Sequence, residues 1–226
     1  MPINHRQLIE KTLKTVINKY HEVPYNFFNE HEFHNYCFHV FYSKPEFNKL
    51  YESEIDIGKR TNILHPEYPS IKRFSREKAE PSAKGWRARY DLAILKPEFI
   101  KKQKMGTVTN RDNKKAAKDS VNLVAVVEFK YITKGGESFK HEIKYDHCKL
   151  REAHEAELKY MIVFSNTKCM EAEAAYIKEV IKNVTDINVA YIHMDFNNTT
   201  GKKILDIREY PTKWLLMPGK RIEVFK

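Results

Sequence analysis

The sequence predicts a single α/β domain in which helices flank a mixed central sheet. Residues 87–95 alternate and then become apolar, and residues 122–132 form a β-branched run typical of a strand buried on both faces. Helical patterns precede and follow these runs, and this alternation indicates a layered α/β architecture. The 226 residues fit one domain, which we divide into an N-terminal helical extension (1–28), a core (29–165) and a C-terminal helix and strands (166–226).

Two amphipathic helices are expected at the start of the chain. Residues 4–20 carry apolar side chains at helical spacing, and Pro24 closes this segment. A second helix is expected from Asn29, because Asn29 and Glu32 have the spacing of a capping box. Its apolar face comprises Phe33, Tyr36, Cys37, Val40 and Phe41. Pro45 is expected to interrupt this helix.

The remaining segments supply the other predicted strands and their connections. Residues 62–69 and the following 72–86 are rich in turn formers, and they predict a short strand and a loop. After the run at 122–132, a Gly-Gly turn leads into a helix, and residues 160–164 predict a third central strand. A helix, a strand, a polar turn and a last strand are then expected over residues 168–183, 187–193, 197–201 and 204–210.

Composition excludes several classes of protein. Three cysteines without a CxxC pair exclude a disulfide framework and a CxxC zinc knuckle, and they favour a reducing compartment. No apolar run approaches the ~20 residues of a membrane span, and no secretory signal is recognisable. We therefore expect a cytoplasmic protein that does not associate with membranes. The seven glycines form neither a GxxxxGK[ST] loop nor a GxGxxG turn, so nucleotide-dependent chemistry of those kinds is not expected.

Positive charge is concentrated in two windows that flank the strand of Asp91. Residues 71–90 and 101–120 each contain seven Lys or Arg and two acids, so together they equal the formal net charge of +10. Solvated loops are one interpretation, but two basic loops around one strand acid favour a phosphate-binding rim. The candidate nucleic-acid contacts in this region are Lys72, Arg73, Arg76, Lys84, Arg87 and Arg89. Two interpretations are open for the aromatic residues Phe74, Trp86 and Tyr90: their rings stack on nucleic-acid bases, or they belong to the hydrophobic core.

Three charged residues interrupt the apolar strands. Asp91 is followed directly by LAIL, and Glu128 and Lys130 are two residues apart, so their side chains leave the same strand face about 7 Å apart. Burying such charged groups costs free energy unless they form ion pairs or coordinate a metal ion. Two carboxylates on neighbouring strands and a backbone carbonyl offer the oxygen ligands that Mg²⁺ prefers. Lys130 can orient or deprotonate a water, or neutralise charge on phosphorus oxygens. A buried ion pair of Lys130 with either carboxylate is the structural alternative.

In these residues the sequence resembles the PD-(D/E)xK nuclease superfamily, which has the restriction-endonuclease-like fold. The resemblance covers residues 29–165 and rests on Asp91 in RARYDLAIL, on Glu128 and Lys130 in VAVVEFKYI, on the helix after the Gly-Gly turn and on the strand YMIVF. Two features depart from the family pattern: Tyr90 stands where a proline is usual, and the insertion 101–120 lengthens the spacing between the two acids.

The resemblance implies specific roles for the motif residues. Asp91 and Glu128 are expected to ligate Mg²⁺ or Mn²⁺, the backbone carbonyl of Phe129 to assist, and Lys130 to act as catalytic base or stabiliser. Family members also place a glutamate on the helix before the first strand. At 100° per residue, Glu30 lies about 50° from the centre of the apolar helix face and Glu32 about 110° away, which favours Glu30.

The resemblance also indicates additional candidates around the motif. The second-rank candidates for the site itself are Glu32, His34 and Glu67. On the helix after the motif, Lys144 and Lys149 are candidates for contacting a phosphate. A solvated helix, with Lys149 paired to Asp146 three residues earlier, is the alternative interpretation of that segment.

The sequence therefore predicts a metal-dependent nuclease that hydrolyses phosphodiester bonds with Mg²⁺ or Mn²⁺. Nucleic acid is the expected partner, and DNA is favoured over RNA. A homodimer is an open alternative to a monomer, because double-strand cleavage favours a two-fold dimer. The alternative function is a non-catalytic nucleic-acid-binding module of the same fold, acting in a defence or repair assembly.

Overall fold

The structure is a computed structural model, and it describes residues 4–22, 27, 29–110, 121–133, 136–165, 170–182 and 186–193. Seven helices and eight strands lie in this part of the chain. The helices are α1 His5–Glu22, α2 Glu30–Tyr42, α3 Pro45–Asn48, α4 Pro97–Lys102, α5 Met105–Asn110, α6 Glu137–Arg151 and α7 Met170–Ile181. The strands are β1 Tyr51–Glu52, β2 Arg60–Thr61, β3 Leu64–Ser75, β4 Glu80–Pro81, β5 Trp86–Leu95, β6 Leu123–Ile132, β7 Ala156–Ser165 and β8 Ile187–His193.

The central sheet is mixed and has six strands in the order β4-β3-β5-β6-β7-β8. The strands from β4 to β6 pair antiparallel with their neighbours, whereas β6, β7 and β8 are parallel. Parallel neighbours need a crossover connection, usually a helix, and α6 and α7 occupy the two crossovers. The predicted mixed α/β class with flanking helices is confirmed.

The helix at the start of the core begins where the sequence predicts. Asn29 is the N-cap of α2, and its side chain accepts a hydrogen bond of 2.9 Å from the backbone N–H of Glu32. The helix ends at Tyr42, and Pro45 stands at the first position of α3, where its missing N–H costs nothing. The first helix, α1, runs two residues beyond its predicted end.

One strand is longer than the sequence predicts. The segment predicted as a short strand and a loop is a continuous 12-residue strand, β3, followed by the short β4. β3 pairs with β5 from Leu64 opposite Ile94 to Phe74 opposite Trp86, with an irregular register between Pro69 and Arg73. Prolines and a register shift hide the two-residue period, whereas backbone pairing with β5 maintains the strand.

The first basic window therefore lies on strands β3, β4 and β5 and their turns, and not on a single loop, although most of its Lys and Arg side chains are exposed. The second window begins in α4 and α5, and its residues 111–120 lie outside the described residues. The predicted turn at 197–201 and strand at 204–210 also lie outside them. Among the described helices, none combines the length and apolarity that a bilayer span requires.

The core joins the helices to the sheet through aromatic contacts around Phe33 of α2. This side chain is fully buried. Its ring lies 4.4 Å from that of Phe164 on β7, 6.0 Å from that of Phe129 on β6 and 6.2 Å from that of Tyr20 on α1. Phe33 therefore fixes α2 over the central strands, and α2 carries several of the charged residues described below.

We expect Phe33→Ala to lower the free energy of unfolding by about 3–5 kcal/mol, because it leaves a cavity between three elements. Tyr42→Ala on the same helix is the matched control, since Tyr42 is 40% exposed and surface substitutions usually change stability by about 0.5 kcal/mol or less. Urea denaturation followed by circular dichroism measures both. Equal losses in the two variants would contradict the central position of Phe33.

Candidate active site

Acidic side chains form a row across three neighbouring strands. The pairing of Leu92 with Val127 continues by one step to place Asp91 of β5 opposite Glu128 of β6. On the other side of β5, Glu67 of β3 lies at the position opposite Asp91. Residues opposite each other in antiparallel strands project to one face of the sheet. The structure thus brings together two acids that lie far apart in the sequence, with Glu67 beside them.

Asp91 is held by the backbone of the neighbouring strand and by α2. Its Oδ2 accepts a 2.7 Å hydrogen bond from the backbone N–H of Phe129 and lies 3.6 Å from Nε2 of His34. The same Nε2 lies 3.0 Å from the carbonyl oxygen of Phe129. Because both neighbours are acceptors, Nε2 of His34 carries the hydrogen. Burial raises the pKa of Asp91, and the charges of His34 and Lys149 offset part of this increase.

Lys130 projects into a group of carboxylates from two helices. Its Nζ lies 2.8 Å from Oε1 of Glu30, 3.4 Å from Oε2 of Glu142 and 3.5 Å from Oδ2 of Asp146. Burial lowers the pKa of this lysine, but the negative charges of Asp146, Glu30 and Glu142 outweigh burial and raise the pKa above its usual range. Lys130 is therefore an ammonium ion at neutral pH. Glu30, the acid favoured by its helical position, is the one that reaches this site.

Glu128 is paired with a lysine for which the sequence predicts a different role. Its Oε2 lies 2.6 Å from Nζ of Lys149, which also lies 3.3 Å from Oδ1 of Asp146 and donates a 2.8 Å hydrogen bond to the carbonyl of Arg89. Lys149 is buried and already paired, so its contact with a phosphate stays a prediction that this pairing does not support. The alternative pairing with Asp146 is present, but it is buried and not solvated.

The electrostatics of Glu128 are dominated by burial. Its side chain is 1% exposed, and Oε1 has no hydrogen-bond partner among the described residues. Burial raises the pKa of Glu128 well above its usual range; the charge of Lys149 offsets part of this, and Asp91 and Asp146 raise the pKa further. A buried carboxylate oxygen without a hydrogen-bond partner is expected to bind a cation that can reach it.

Carboxylates outnumber ammonium groups at this site. Lys130 and Lys149 are surrounded by the carboxylates of Glu30, Asp91, Glu128, Glu142 and Asp146. Glu30 and Glu142 are partly exposed, and Arg76 also pairs with Glu142, so the buried surplus is one carboxylate. Such a surplus is costly unless a proton or a further cation compensates it. The geometry therefore suits a metal ion or a similar cation.

One cluster of possible donor atoms differs from the predicted ligand pair. One atom each of His34, Glu67 and Asp91 lies within 4.8 Å of the others. Glu128 is not in this group. Imidazole nitrogen with carboxylate oxygens suits Mn²⁺ and other transition metals, whereas Mg²⁺ prefers oxygen alone.

Glu67 has an unusual backbone conformation. Its φ of +50° is in the left-handed region, which costs a residue other than glycine about 1–2 kcal/mol. Strain of this kind concentrates at functional sites. Here it accompanies a position in the acidic row, which raises the rank of Glu67 from a minor candidate.

The other sequence candidates lie around the site and not in it. Glu32 is exposed near the start of α2, and Lys144 is exposed on the opposite side of α6 from Lys149. Phe74 and Tyr90 are buried and belong to the core, whereas Trp86 is 87% exposed.

Most of the predicted basic contacts are exposed and many form ion pairs. Lys72 pairs with Glu152, Arg76 lies 3.2 Å from Glu142, and Arg89 lies 4.0 Å from Glu67. The guanidinium of Arg73 donates a 3.4 Å hydrogen bond to the carbonyl of Gly85, Lys84 is exposed, and Arg87 is half-buried. Arg87 and Arg89 share a face of β5 with Asp91, because side chains alternate along a strand.

Glu142 is the site residue that the sequence does not single out. It occupies one stripe of α6 with Asp146 and Lys149, since residues at i, i+4 and i+7 share a helix face. A charged stripe on the helix directly after the Glu-x-Lys segment is the available signal. It is a weak signal, because charged stripes on helices are usually solvated.

No protein-family model matches the chain, and comparisons with curated proteins and with solved structures find no match either. Function is therefore inferred from the residues of this chain and their geometry. Those residues form a partly buried acidic row, two ammonium groups and an adjacent line of arginines.

We expect Glu128→Gln to become more stable relative to the wild type as pH rises above about 4.3, the value for glutamate in an unfolded chain. The pKa of Glu128 is raised in the folded protein, so the wild type binds this proton more tightly when folded and loses that stability as pH increases. Melting temperatures from about pH 4 to about pH 8 measure the difference.

Glu152→Gln is the matched control of opposite sign. The hydrogen bond from Lys72 lowers the pKa of Glu152 in the folded protein, so this carboxylate stabilises the fold above its unfolded pKa. The variant should therefore lose stability relative to the wild type as pH rises from the lowered folded pKa to the unfolded value of about 4.3, so its melting temperatures are measured from about pH 2 upward. A Glu128→Gln curve with the same sign as the Glu152→Gln curve would contradict the buried environment of Glu128.

Proposed function

We propose that this protein is a metal-dependent nuclease that hydrolyses phosphodiester bonds with Mg²⁺ or Mn²⁺. The observation that carries the proposal is the position of Asp91 opposite Glu128, with the ammonium of Lys130 on the same strand face. DNA is favoured over RNA through the resemblance to the PD-(D/E)xK superfamily. The order α2, β3, β5, β6, α6 and β7 is compatible with the restriction-endonuclease-like fold and supports this resemblance.

The residues present fit a divalent metal ion. Asp91 would hold it with Glu67 and with His34, whose donor atoms already lie together, provided that the ring nitrogen of His34 facing the metal gives up its hydrogen. The unpartnered oxygen of Glu128 is buried beside Asp91. When bound, the metal supplies Lewis acidity and lowers the pKa of a coordinated water. The carbonyl of Phe129 is a weaker candidate ligand, because Nε2 of His34 occupies its hydrogen-bonding position.

Lys130 acts as a charge stabiliser in this proposal. A base must be able to lose its proton near neutral pH, and the surrounding carboxylates raise the pKa of Lys130 instead. Its ammonium is therefore suited to neutralise the charge that develops on the phosphorus oxygens. Glu30 and Glu142 hold this ammonium in position from α2 and α6.

A line of arginines on β5 leads to the acidic row. Arg89 lies two residues before Asp91, and Arg87 lies four residues before it. All three side chains leave the same face of β5, at intervals of about 7 Å. Arg73 of β3 is the cross-strand partner of Arg87. These side chains can bind successive phosphates of a nucleic acid and so position its backbone next to Asp91. The exposed ring of Trp86, at the start of the strand, can stack on a base.

A second candidate is a non-catalytic nucleic-acid-binding module. The 2.6 Å pair between Lys149 and Glu128 favours it, because a carboxylate paired with a buried lysine is less available to a metal. In that case the arginines still bind DNA, but neither cleavage nor metal-linked stabilisation occurs.

We expect the purified protein to cut DNA only in the presence of Mg²⁺ or Mn²⁺, and Lys130→Ala to lower the cleavage rate by about 10²–10³-fold. The matched control is Lys59→Ala, because Lys59 is an exposed lysine paired with Asp56 at 3.7 Å. Gel assays of plasmid and linear DNA measure cleavage, and circular dichroism checks that each variant is folded. Full activity in folded Lys130→Ala would contradict the proposed role of Lys130.

Metal binding is measured separately by thermal denaturation. Mn²⁺ should raise the melting temperature of the wild type, because a ligand that binds the folded state stabilises it. Asp91→Asn should remove this increase together with cleavage. DNA binding without cleavage and without a Mn²⁺ effect on melting would favour the non-catalytic module.

We expect Arg87→Gln and Arg89→Gln each to reduce the salt dependence of DNA binding. The slope of the logarithm of the association constant for DNA against the logarithm of the salt concentration should fall in magnitude by about 1, because each variant removes one phosphate contact. Binding is measured by fluorescence anisotropy in the Asp91→Asn background, so that the DNA is not cut. Arg60→Gln is the control, since Arg60 is exposed and paired with Glu52 on the β1–β2 pair. Unchanged slopes for both β5 variants would exclude this strand as the path of the nucleic acid.

A further inference from the structure

A second cavity lies on the opposite side of α6 from the acidic site. Its volume is about 480 Å³, and it is open to solvent on one side and lined by α6, α7 and the turn between β3 and β4. The α6 positions that line it lie about 180° around the helix from Glu142, Asp146 and Lys149. The cavity is therefore separate from the candidate active site, although both contact the same helix.

The lining of this cavity has three cations from two elements. Lys78 comes from the turn, and Lys144 and Arg151 come from α6; Glu80 and Glu179 are the acids on the lining. Neither Lys78 nor Lys144 has an ion-pair partner within the part of the chain that the structure describes. Arg151 pairs with Glu152 at 3.3 Å, so the ammonium groups of Lys78 and Lys144 are the cations available to a ligand.

His147 contributes a buried polar atom that has no partner. Its side chain lines the cavity, it is 6% exposed, and Nε2 makes no hydrogen bond to any described residue. Burial and the charge of Arg151 lower the pKa of His147 to about 4, so the ring is neutral at physiological pH and holds one N–H. Native proteins rarely leave such an atom unsatisfied, and a ligand that accepts a hydrogen bond would satisfy it.

The remaining lining residues suit an organic group next to an anion. Tyr176 and Val180 of α7 are half-buried and present an aromatic ring and an apolar side chain. The volume is within the range of small-molecule sites and much too small for a nucleic-acid duplex. Cations, one neutral N–H donor and an aromatic side chain together match a small phosphorylated molecule.

We propose that this cavity binds the phosphate group of a small organic phosphomonoester, held by Lys144, Lys78 and His147. The organic part lies against Tyr176 and Val180. This site is independent of the proposed nuclease activity, because within the described residues none of its lining side chains forms a hydrogen bond or ion pair with Glu67, Asp91 or Glu128.

Isothermal titration calorimetry of the full chain tests this proposal with three probes: adenosine 5′-monophosphate, inorganic phosphate and adenosine. We expect the nucleotide to bind, phosphate to bind more weakly, and adenosine not to bind. Lys144→Gln and His147→Phe should each weaken nucleotide binding about tenfold, since each removes a hydrogen bond to a charged group. His147→Phe also removes an unsatisfied buried atom, so it should remain folded with an undiminished melting temperature.

Two control variants test whether the nucleotide binds in this cavity. Lys101→Gln removes an exposed positive charge from α4 and should leave the affinity unchanged; an equal loss there would indicate non-specific attraction and overturn the proposal. Asp91→Asn should also leave the affinity unchanged. Binding that is lost in Asp91→Asn but survives in Lys144→Gln and His147→Phe would place the nucleotide in the acidic site and overturn the proposal. Equal binding of adenosine and the nucleotide, or no binding of nucleotide or phosphate at millimolar concentration, would also overturn it.

Discussion

The burial of ionised side chains on β6 is the constraint on which the rest of the site depends. Glu128 and Lys130 stand in a strand whose other side chains are buried and uncharged. Each therefore needs an opposite charge from another element. Lys149 of α6 meets Glu128, and carboxylates of α2 and α6 meet Lys130. The helices are thus positioned over the sheet by charge as well as by apolar packing around Phe33.

Stability alone does not explain this arrangement. Replacing a buried ion pair by apolar residues of similar volume is often neutral or stabilising by about 1–4 kcal/mol. The network also contains more carboxylates than ammonium groups, and Glu128 keeps one buried oxygen without a partner among the described residues. Such a surplus is costly in a purely structural network. It becomes favourable when a cation binds, which is the physical basis for inferring a metal site beside Asp91.

The sequence predicted the parts of the fold and site in which burial determines residue type. Strands β5, β6 and β7 were recognisable as apolar runs, and the start of α2 was recognisable from Asn29. The proximity of Asp91 and Glu128 followed from their positions on strands expected to be neighbours. The full length of β3 was not predictable, because prolines and an irregular register obscure its pattern. The pairing of Lys149 with Glu128 was not predictable either, since it depends on where the crossover helix packs.

Helix α6 shows why periodicity identifies an element more readily than it identifies the roles of its residues. Its apolar residues Phe139, Ile143 and Leu150 recur at helical spacing and are buried in the core. Its polar and charged residues are divided between two faces. Glu142, Asp146 and Lys149 contact the strand charges, while Lys144, His147 and Arg151 line the cavity on the other side. In a helix on the surface of a sheet, both sets would be expected to be solvated. Here the first set pairs with strand charges, because β6 brings charge to one side of α6. On the other side Lys144 and Arg151 stay exposed, and His147 is buried against the cavity that α7 and the β3–β4 turn help to form.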